Sequence, residues 1–240
     1  MKWFKKRFSE YPARQQVLYL FYIVLFFTGC TGSSAVTENS YLQPDTDKLL
    51  ASQTPDAYTY SVFLMGDGGG ASLDPRSEIL LHLEKMLIET GEKGAVVFVG
   101  DNLYPDGLPA EDYNKRDVLE EKLVAQLEAV KRFPGRIIFM PGNHDWESSG
   151  EAGLEYINRQ ERFIEEYLNR GNTFLPDDGY PGPVQVTLTQ FMDENGDISE
   201  LNFIVLDTHW WLHPHEKPFP ESSDSEEEAK EIAGTELERL

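Results

Sequence analysis

Residues 95–104 read AVVFVGDNLY, a run of five apolar residues that ends in a glycine and a polar turn. An uninterrupted apolar run of this length is typical of a strand that is buried on both faces of a parallel sheet. Two similar runs, YSVFLM at 60–65 and RIIFM at 136–140, precede and follow it in the chain. Segments with helical spacing separate the three runs, so we expect parallel strands joined by crossover helices.

The segments around these strands complete an α/β pattern. Apolar residues recur at helical spacing in three of them, 76–90, 111–131 and 154–168. Two more strands are predicted near the end of the chain, at 184–190 and 201–206. The predicted fold class is therefore α/β, with the order β-α-β-α-β-α followed by two further strands.

Length, charge and cysteine content exclude several classes of protein. The chain has 240 residues, of which 40% are hydrophobic, enough for one sizeable domain and too few for several. It carries 21 Lys and Arg residues against 42 Asp and Glu residues, a net charge of −21. So negative a surface repels nucleic-acid phosphates, and we expect no nucleic-acid partner. The single cysteine, Cys30, excludes an intrachain disulfide and a cysteine-based zinc cluster.

The first 29 residues are predicted to be a signal peptide. Residues 1–16 hold five basic residues and one acidic residue, and an apolar run over 17–27 follows them. This run is too short to cross a bilayer, which takes ~20 helical residues, so a membrane-spanning anchor is the weaker interpretation. We therefore expect residues 1–29 to direct export.

Cys30 closes a stretch, FTGC at 27–30, that resembles a bacterial lipobox. In a lipobox the cysteine becomes the lipidated first residue of the mature protein, and a plain cleavage site is the alternative. Residues 30–58 are rich in Ser, Thr, Pro, Asp and Asn, and are predicted to be a flexible tether. We expect an exported lipoprotein of a bacterial cell envelope, on its periplasmic or cell-surface side, anchored to the membrane by its lipid.

Each of the three predicted parallel strands ends in a polar loop that contains glycine. The loops read GDGGG at 66–70, GDNLY at 100–104 and GNHD at 142–145. Because ligands of open α/β sheets bind at the carboxyl ends of the strands, we expect these loops to meet. Asp67 and Asp101 would repel each other there unless a cation lies between them or one takes up a proton. Their oxygens suit iron, manganese or zinc, and a Tyr104 phenolate favours a trivalent ion.

Other interpretations of the loops compete with a metal site. Taken singly, a Gly-Asp pair after a strand is more often a turn, and a lone His144 or Tyr104 is more often structural. The spacing of Gly66, Gly68 and Ala71 also fits the loose dinucleotide-binding pattern. Asp67 lies inside that turn, where its charge would meet a pyrophosphate, so we favour the metal site.

Taken together, the three loops resemble the sequence blocks of the calcineurin-like metallophosphoesterases, over about residues 58–215. The GDGG wording at 66–69 and the tyrosine of GDNLY are closest to the purple acid phosphatase branch of that superfamily. The resemblance implies two metal ions and hydrolysis of a phosphate monoester. The substrate would be a phosphorylated small molecule or a phosphoprotein.

The resemblance also implies a ligand set. Asp67 and Tyr104 would bind the first metal, expected to be Fe(III), and Asp101 would bridge the two ions. Asn143 would bind the second metal, expected to be Fe, Zn or Mn.

Two catalytic residues are implied in the same way. His144 would contact the substrate phosphate or donate a proton to the leaving group. Asp145 would orient His144.

Two later histidine blocks of the family do not occur in this sequence. The resemblance therefore implies a partial metallophosphoesterase α/β sandwich over 59–240, with the C-terminal half absent and with little activity of this chain alone. His209 is not an obvious ligand, and for His213 and His215 a polar and aromatic loop is favoured over a metal pair. The alternative functions are a non-catalytic surface lipoprotein on a decayed phosphatase scaffold, and a phosphodiesterase or nucleotidase of the same superfamily.

Overall fold

A computed structural model describes residues 60–192 and 195–219, with isolated positions between 225 and 235. The predicted signal peptide, Cys30 and the tether lie outside the described residues, so the domain boundaries at 29 and 58 stay predictions. In chain order the helices and strands are β1 (Ser61–Met65), α1 (Glu78–Thr90), β2 (Gly94–Val99), α2 (Arg116–Val130), β3 (Arg136–Met140), α3 (Gly153–Leu168), β4 (Val184–Met192) and β5 (Ile198–Val205).

Strands β1, β2 and β3 form a parallel sheet in that order, and β4 and β5 form a separate antiparallel pair. The predicted α/β fold with two further strands is therefore confirmed. Both strands of the pair are longer than predicted, because Gln190 and Met192 pair with Glu200 and Ile198 across the hairpin. This extension rests on backbone pairing between exposed residues, which leaves little trace in an apolar pattern.

The central strand β2 is covered on both faces. Val96 and Phe98 belong to the core formed with the three helices, and the Phe98 ring stacks on the Phe139 ring at 4.1 Å. Val97 points the other way, into a second core with Ile138 and the β4–β5 hairpin. Burial on both faces explains the uninterrupted apolar run of β2. Within the part of the chain that is described, no helix combines the length and the apolar character needed to cross a membrane.

The parallel direction of β1, β2 and β3 places their carboxyl ends at one edge of the sheet. The loop after β1 is joined to the loop after β2 by backbone hydrogen bonds, from Gly69 N to Asp101 O at 2.8 Å and from Tyr104 N to Gly69 O at 3.1 Å. The loop after β3 reaches the same edge, where His144 N donates to Asp101 Oδ1 at 3.3 Å. The three polar loops therefore meet, as the sequence predicted.

Candidate active site

A phenol and two carboxylates form the centre of this edge. The Tyr104 hydroxyl donates a hydrogen bond to Asp67 Oδ1 at 2.5 Å and lies 3.0 Å from Asp101 Oδ2. Tyr104 comes from the loop after β2 and Asp67 from the loop after β1, so the contact joins neighbouring strand ends. Three of the four predicted metal ligands thus share one small volume.

The phenol keeps its proton in this arrangement. The hydrogen bond to Asp67, together with burial and the charge of Asp101, raises the pKa of Tyr104 far above its usual value. A cation among the three oxygens would reverse this preference, because it stabilises the phenolate and offsets the repulsion between the carboxylates. Two carboxylates and a phenol are donors that suit a hard cation, so these residues fit the predicted first metal.

Both aspartates of the cluster adopt a left-handed backbone conformation, with φ of 56° at Asp67 and 53° at Asp101. Residues other than glycine seldom adopt this conformation, and such strain concentrates at functional sites. In each loop the aspartate follows directly after the glycine that ends its strand. The backbone therefore turns sharply at the point where each carboxylate is presented.

Glycine allows the third loop to approach the cluster closely. A β-carbon on Gly142 would overlap Oδ1 and the backbone nitrogen of Asp101. A β-carbon on Gly69 would lie 2.5 Å from the backbone nitrogen of Tyr104. These two glycines let backbone pack directly against the residues that carry the carboxylate and the phenol.

Asp145 is fully buried and fastens the loop after β3 to its neighbours. Its carboxylate accepts hydrogen bonds from Gly142 N at 2.7 Å, Asn102 N at 3.1 Å and Gln160 Nε2 at 2.9 Å. Burial raises the pKa of Asp145 to about 6, and these hydrogen bonds oppose the shift. The contacts act on the loop backbone, and an orienting effect on the His144 ring stays a prediction. The amide of Gln160 gave no signal in the sequence, because it is one polar residue on the buried face of α3.

The His144 ring is held by the loop after β2 and by a serine in its own loop. Its Nδ1 lies 2.5 Å from the Pro105 carbonyl oxygen and 3.2 Å from Ser148 Oγ, and its edge meets the Tyr104 ring at 4.7 Å. A carbonyl oxygen only accepts, so Nδ1 carries a proton and Nε2 is the nitrogen that remains for a substrate.

Asn143 is exposed in the same loop, between Gly142 and His144. No contact found among the described residues joins its side chain to Asp67 or Asp101. In residues 60–192 and 195–219, no group of three or more His, Cys, Asp or Glu side chains is placed to hold a metal ion. The predicted first site uses a tyrosine as its third donor, and the ligands of the second metal stay a prediction.

The histidines after β5 occupy different environments. His209 Nε2 lies 3.0 Å from Ser149 Oγ, and burial lowers its pKa while the charge of Asp101 opposes the shift. His213 is buried, and neither of its ring nitrogens has a hydrogen-bond partner in the described structure. Its ring packs 4.6 Å from that of Trp146. Trp146 belongs to the loop between β3 and α3, residues 141–152, which we call the active-site loop. His213 therefore packs as an aromatic ring, and His215 is exposed.

The family model for calcineurin-like phosphoesterases matches residues 62–231, which is most of the chain. The match spans β1 to β5 and all three loops. Neither a curated protein nor a solved structure matches the chain.

Gly142→Ala should displace the Asp101 carboxylate, because the new β-carbon takes the space of its Oδ1. We expect the affinity for a divalent or trivalent cation to fall roughly 10- to 100-fold, as it does when the partners that orient a ligand are lost. Isothermal titration of the metal-free protein measures this. Gly171→Ala is the matched control, since no atom lies within 4 Å of the added β-carbon. Equal affinities in both variants would contradict the prediction.

The pH dependence of stability should reveal the buried, neutral His213. Burial, with the charges of His209, His215 and Lys217, lowers the pKa of His213 to about 4 from 6.5. The stability of the neutral ring is fully present above pH 6.5 and is lost as the pH falls towards 4. Relative to His213→Leu, the wild type should lose up to about 3 kcal/mol over this interval.

Urea unfolding at a series of pH values measures that difference. His82→Leu, at an exposed histidine of α1 that does not contribute to the shift of His213, should leave the pH dependence as it is in the wild type. An identical pH profile for His213→Leu and the wild type would show that His213 is not a buried neutral group.

Proposed function

The chain belongs to the calcineurin-like phosphoesterase family, and from this premise we propose that it is a two-metal phosphatase of the purple acid phosphatase branch. A domain of this family supports phosphoester hydrolysis in general, and the family generally uses two metal ions. The assignment to the purple acid phosphatase branch is supported by the Tyr104 phenol, which lies between Asp67 and Asp101. The proposed substrates are phosphate monoesters of small molecules or phosphoproteins.

Four residues would hold the metal pair. Asp67 and Tyr104 would bind the first ion, Asp101 both ions, and Asn143 the second. When bound, the pair supplies a nucleophilic water near neutral pH and offsets the charge on the phosphoryl oxygens. The chain would contribute the geometry: Asp67 and Asp101, both in the left-handed backbone conformation, carry their carboxylates next to the Tyr104 hydroxyl, where they would hold the first ion.

His144 would act on the substrate through Nε2. With Nδ1–H bonded to the Pro105 carbonyl, a protonated ring would have its second N–H, at Nε2, for the substrate. This N–H can donate to a phosphate oxygen, or pass its proton to the leaving oxygen while the ring stays bonded at Nδ1. Asp145, buried within the same loop, would orient His144 by fixing the loop backbone.

We propose Fe(III) at the first site and Fe, Zn or Mn at the second. The support for a trivalent first ion is Tyr104, because a phenolate is a hard anionic donor placed beside a carboxylate.

A second candidate function is a binding protein without catalysis, built on a phosphatase scaffold. It is favoured by the lack, among the residues described, of a cluster of three His, Cys, Asp or Glu side chains for a metal. A phosphodiesterase or nucleotidase of the same family differs in the loops that select the substrate. In every case we propose an exported protein that is held at a bacterial membrane through a lipid on Cys30.

Asp101→Asn should abolish hydrolysis and metal loading. It removes the negative charge that both ions would share. We expect turnover of an aryl phosphate to fall at least ~100-fold, which is more than the loss of a residue that only hydrogen-bonds to a metal ligand would cause. Steady-state kinetics and the metal content of purified full chain measure this. Asp112→Asn, at an exposed acid before α2, is the control and should match the wild type. Metal binding without turnover in the wild type would instead favour the binding protein.

Iron loading should colour the protein. A tyrosinate bonded to Fe(III) absorbs visible light, so we expect a purple or pink sample whose visible band disappears in Tyr104→Phe. Tyr113→Phe, at an exposed tyrosine of the same connection, should keep the band. A colourless sample that contains stoichiometric iron would exclude Tyr104 as a ligand.

A further inference from the structure

A buried carboxylate and a buried indole join the turn after β5 to the active-site loop. Trp146 Nε1 donates to Asp207 Oδ2 at 2.7 Å, and both residues are 0% exposed. The other oxygen, Asp207 Oδ1, accepts the backbone N–H groups of His209 at 2.9 Å and Trp210 at 3.2 Å. One carboxylate therefore fixes its own turn and a side chain from another part of the chain.

This carboxylate is costly to bury. Burial raises the pKa of Asp207 to about 7, and the three hydrogen bonds oppose that shift. An apolar side chain of similar size would avoid the desolvation cost of a buried charge. In return, the Asp207 carboxylate fixes the orientation of its partners, because each oxygen accepts hydrogen bonds only from N–H groups that point towards it.

Because Trp146 is held by Asp207, its backbone also fixes the position of the active-site loop. It follows Asp145 directly, and its carbonyl oxygen accepts Ser149 N at 3.0 Å, which closes the left-handed turn Glu147–Ser149. Within that turn, Ser148 Oγ lies 3.2 Å from Nδ1 of His144. A shift of the Trp146 backbone would therefore move Asp145, which follows His144 in the chain, and Ser148, whose hydroxyl contacts the His144 ring.

A second contact from the turn reaches the same loop. His209, whose N–H is held by Asp207, meets Ser149 Oγ at 3.0 Å through Nε2. The turn is itself braced, because Lys217 Nζ donates to Trp210 O at 3.0 Å and to His213 O at 2.7 Å. The segment after β5 thus contacts the active-site loop at two residues, Trp146 and Ser149.

We propose that Asp207 is a positioning residue of the phosphoesterase site: through Trp146 it holds the loop of Asn143 and His144 against the Asp101 carboxylate. The hydrogen bonds of Asp207 found among the described residues go to Trp146, His209 and Trp210, and none of these three is a predicted metal ligand. The inference rests on the proposed function for its catalytic consequence, while its structural part concerns the loop alone.

The test weakens the Trp146–Asp207 hydrogen bond from either side. Trp146→Phe removes the indole N–H and leaves a smaller ring at this buried position, whereas Asp207→Asn removes the charge of the acceptor at nearly constant volume. Tyr167→Phe is the matched control, because it deletes the hydroxyl that donates to Glu128 between α2 and α3, away from the site. On the full chain we would measure kcat and KM for an aryl phosphate, urea unfolding, and amide hydrogen exchange of the metal-free protein.

We expect Trp146→Phe and Tyr167→Phe both to lower the urea midpoint, and only Trp146→Phe to lower kcat, by roughly 10- to 100-fold with KM little changed. The amides of Gly142 and His144, which donate to Asp145 and Asp101, should exchange roughly tenfold faster in Trp146→Phe alone. Asp207→Asn should lower kcat in the wild type and should lower it by a smaller factor in the Trp146→Phe background, where only the contact through His209 is left to lose.

Different results would overturn the positioning role of Asp207 and the proposed function. An unchanged kcat and unchanged exchange in Trp146→Phe overturn the positioning role, and so does an equal loss of kcat in Tyr167→Phe. A full-length wild-type protein that hydrolyses no phosphoester with any of Fe, Zn or Mn overturns the proposed function instead. In that case the exchange rates of Gly142 and His144 still decide whether Asp207 and Trp146 hold the loop.

Discussion

The Tyr104 phenol between the carboxylates of Asp67 and Asp101 is the contact on which the site depends. Two carboxylates brought this close need a proton or a cation between them. The phenol supplies such a proton, and its hydrogen bond to Asp67, together with burial and the contact with Asp101, raises the pKa of Tyr104. A metal ion would take over the same electrostatic task, so one geometry serves both states of the site.

The direction of the strands and the conformation of the loops bring Asp67, Asp101 and Tyr104 together. Parallel strands end at one edge, and each terminal glycine is followed by an aspartate in the left-handed conformation. Backbone approach at Gly69 and Gly142 leaves no space for side chains between the loops. Buried Asp145 and Asp207 hold backbone and indole N–H groups in place. These two buried acids therefore fasten the loop after β3, which carries Asn143 and His144.

Much of this arrangement follows from sequence. Three apolar runs, each ending in a glycine and a polar turn, predict parallel strands whose loops converge, and the structure brings Asp67, Asp101 and Tyr104 together. The supporting contacts do not follow in the same way. Trp146 and Asp207 are 61 residues apart, and their pairing depends on how the β4–β5 hairpin packs against β3. His213 looks like a candidate ligand in a polar loop, and only its burial identifies it as a packed ring.

A cation that binds at this edge should replace the proton that Tyr104 shares with the two aspartates. Titration of the metal-free chain with Ga³⁺, monitored by the ultraviolet difference spectrum of tyrosinate, tests this most directly, because Ga³⁺ has the charge of Fe(III) and no visible absorption of its own. The geometry predicts one tyrosinate for each first-site ion bound, with the signal absent in Tyr104→Phe. Tight Ga³⁺ binding with no tyrosinate signal, or with the same signal in Tyr104→Phe, would contradict it.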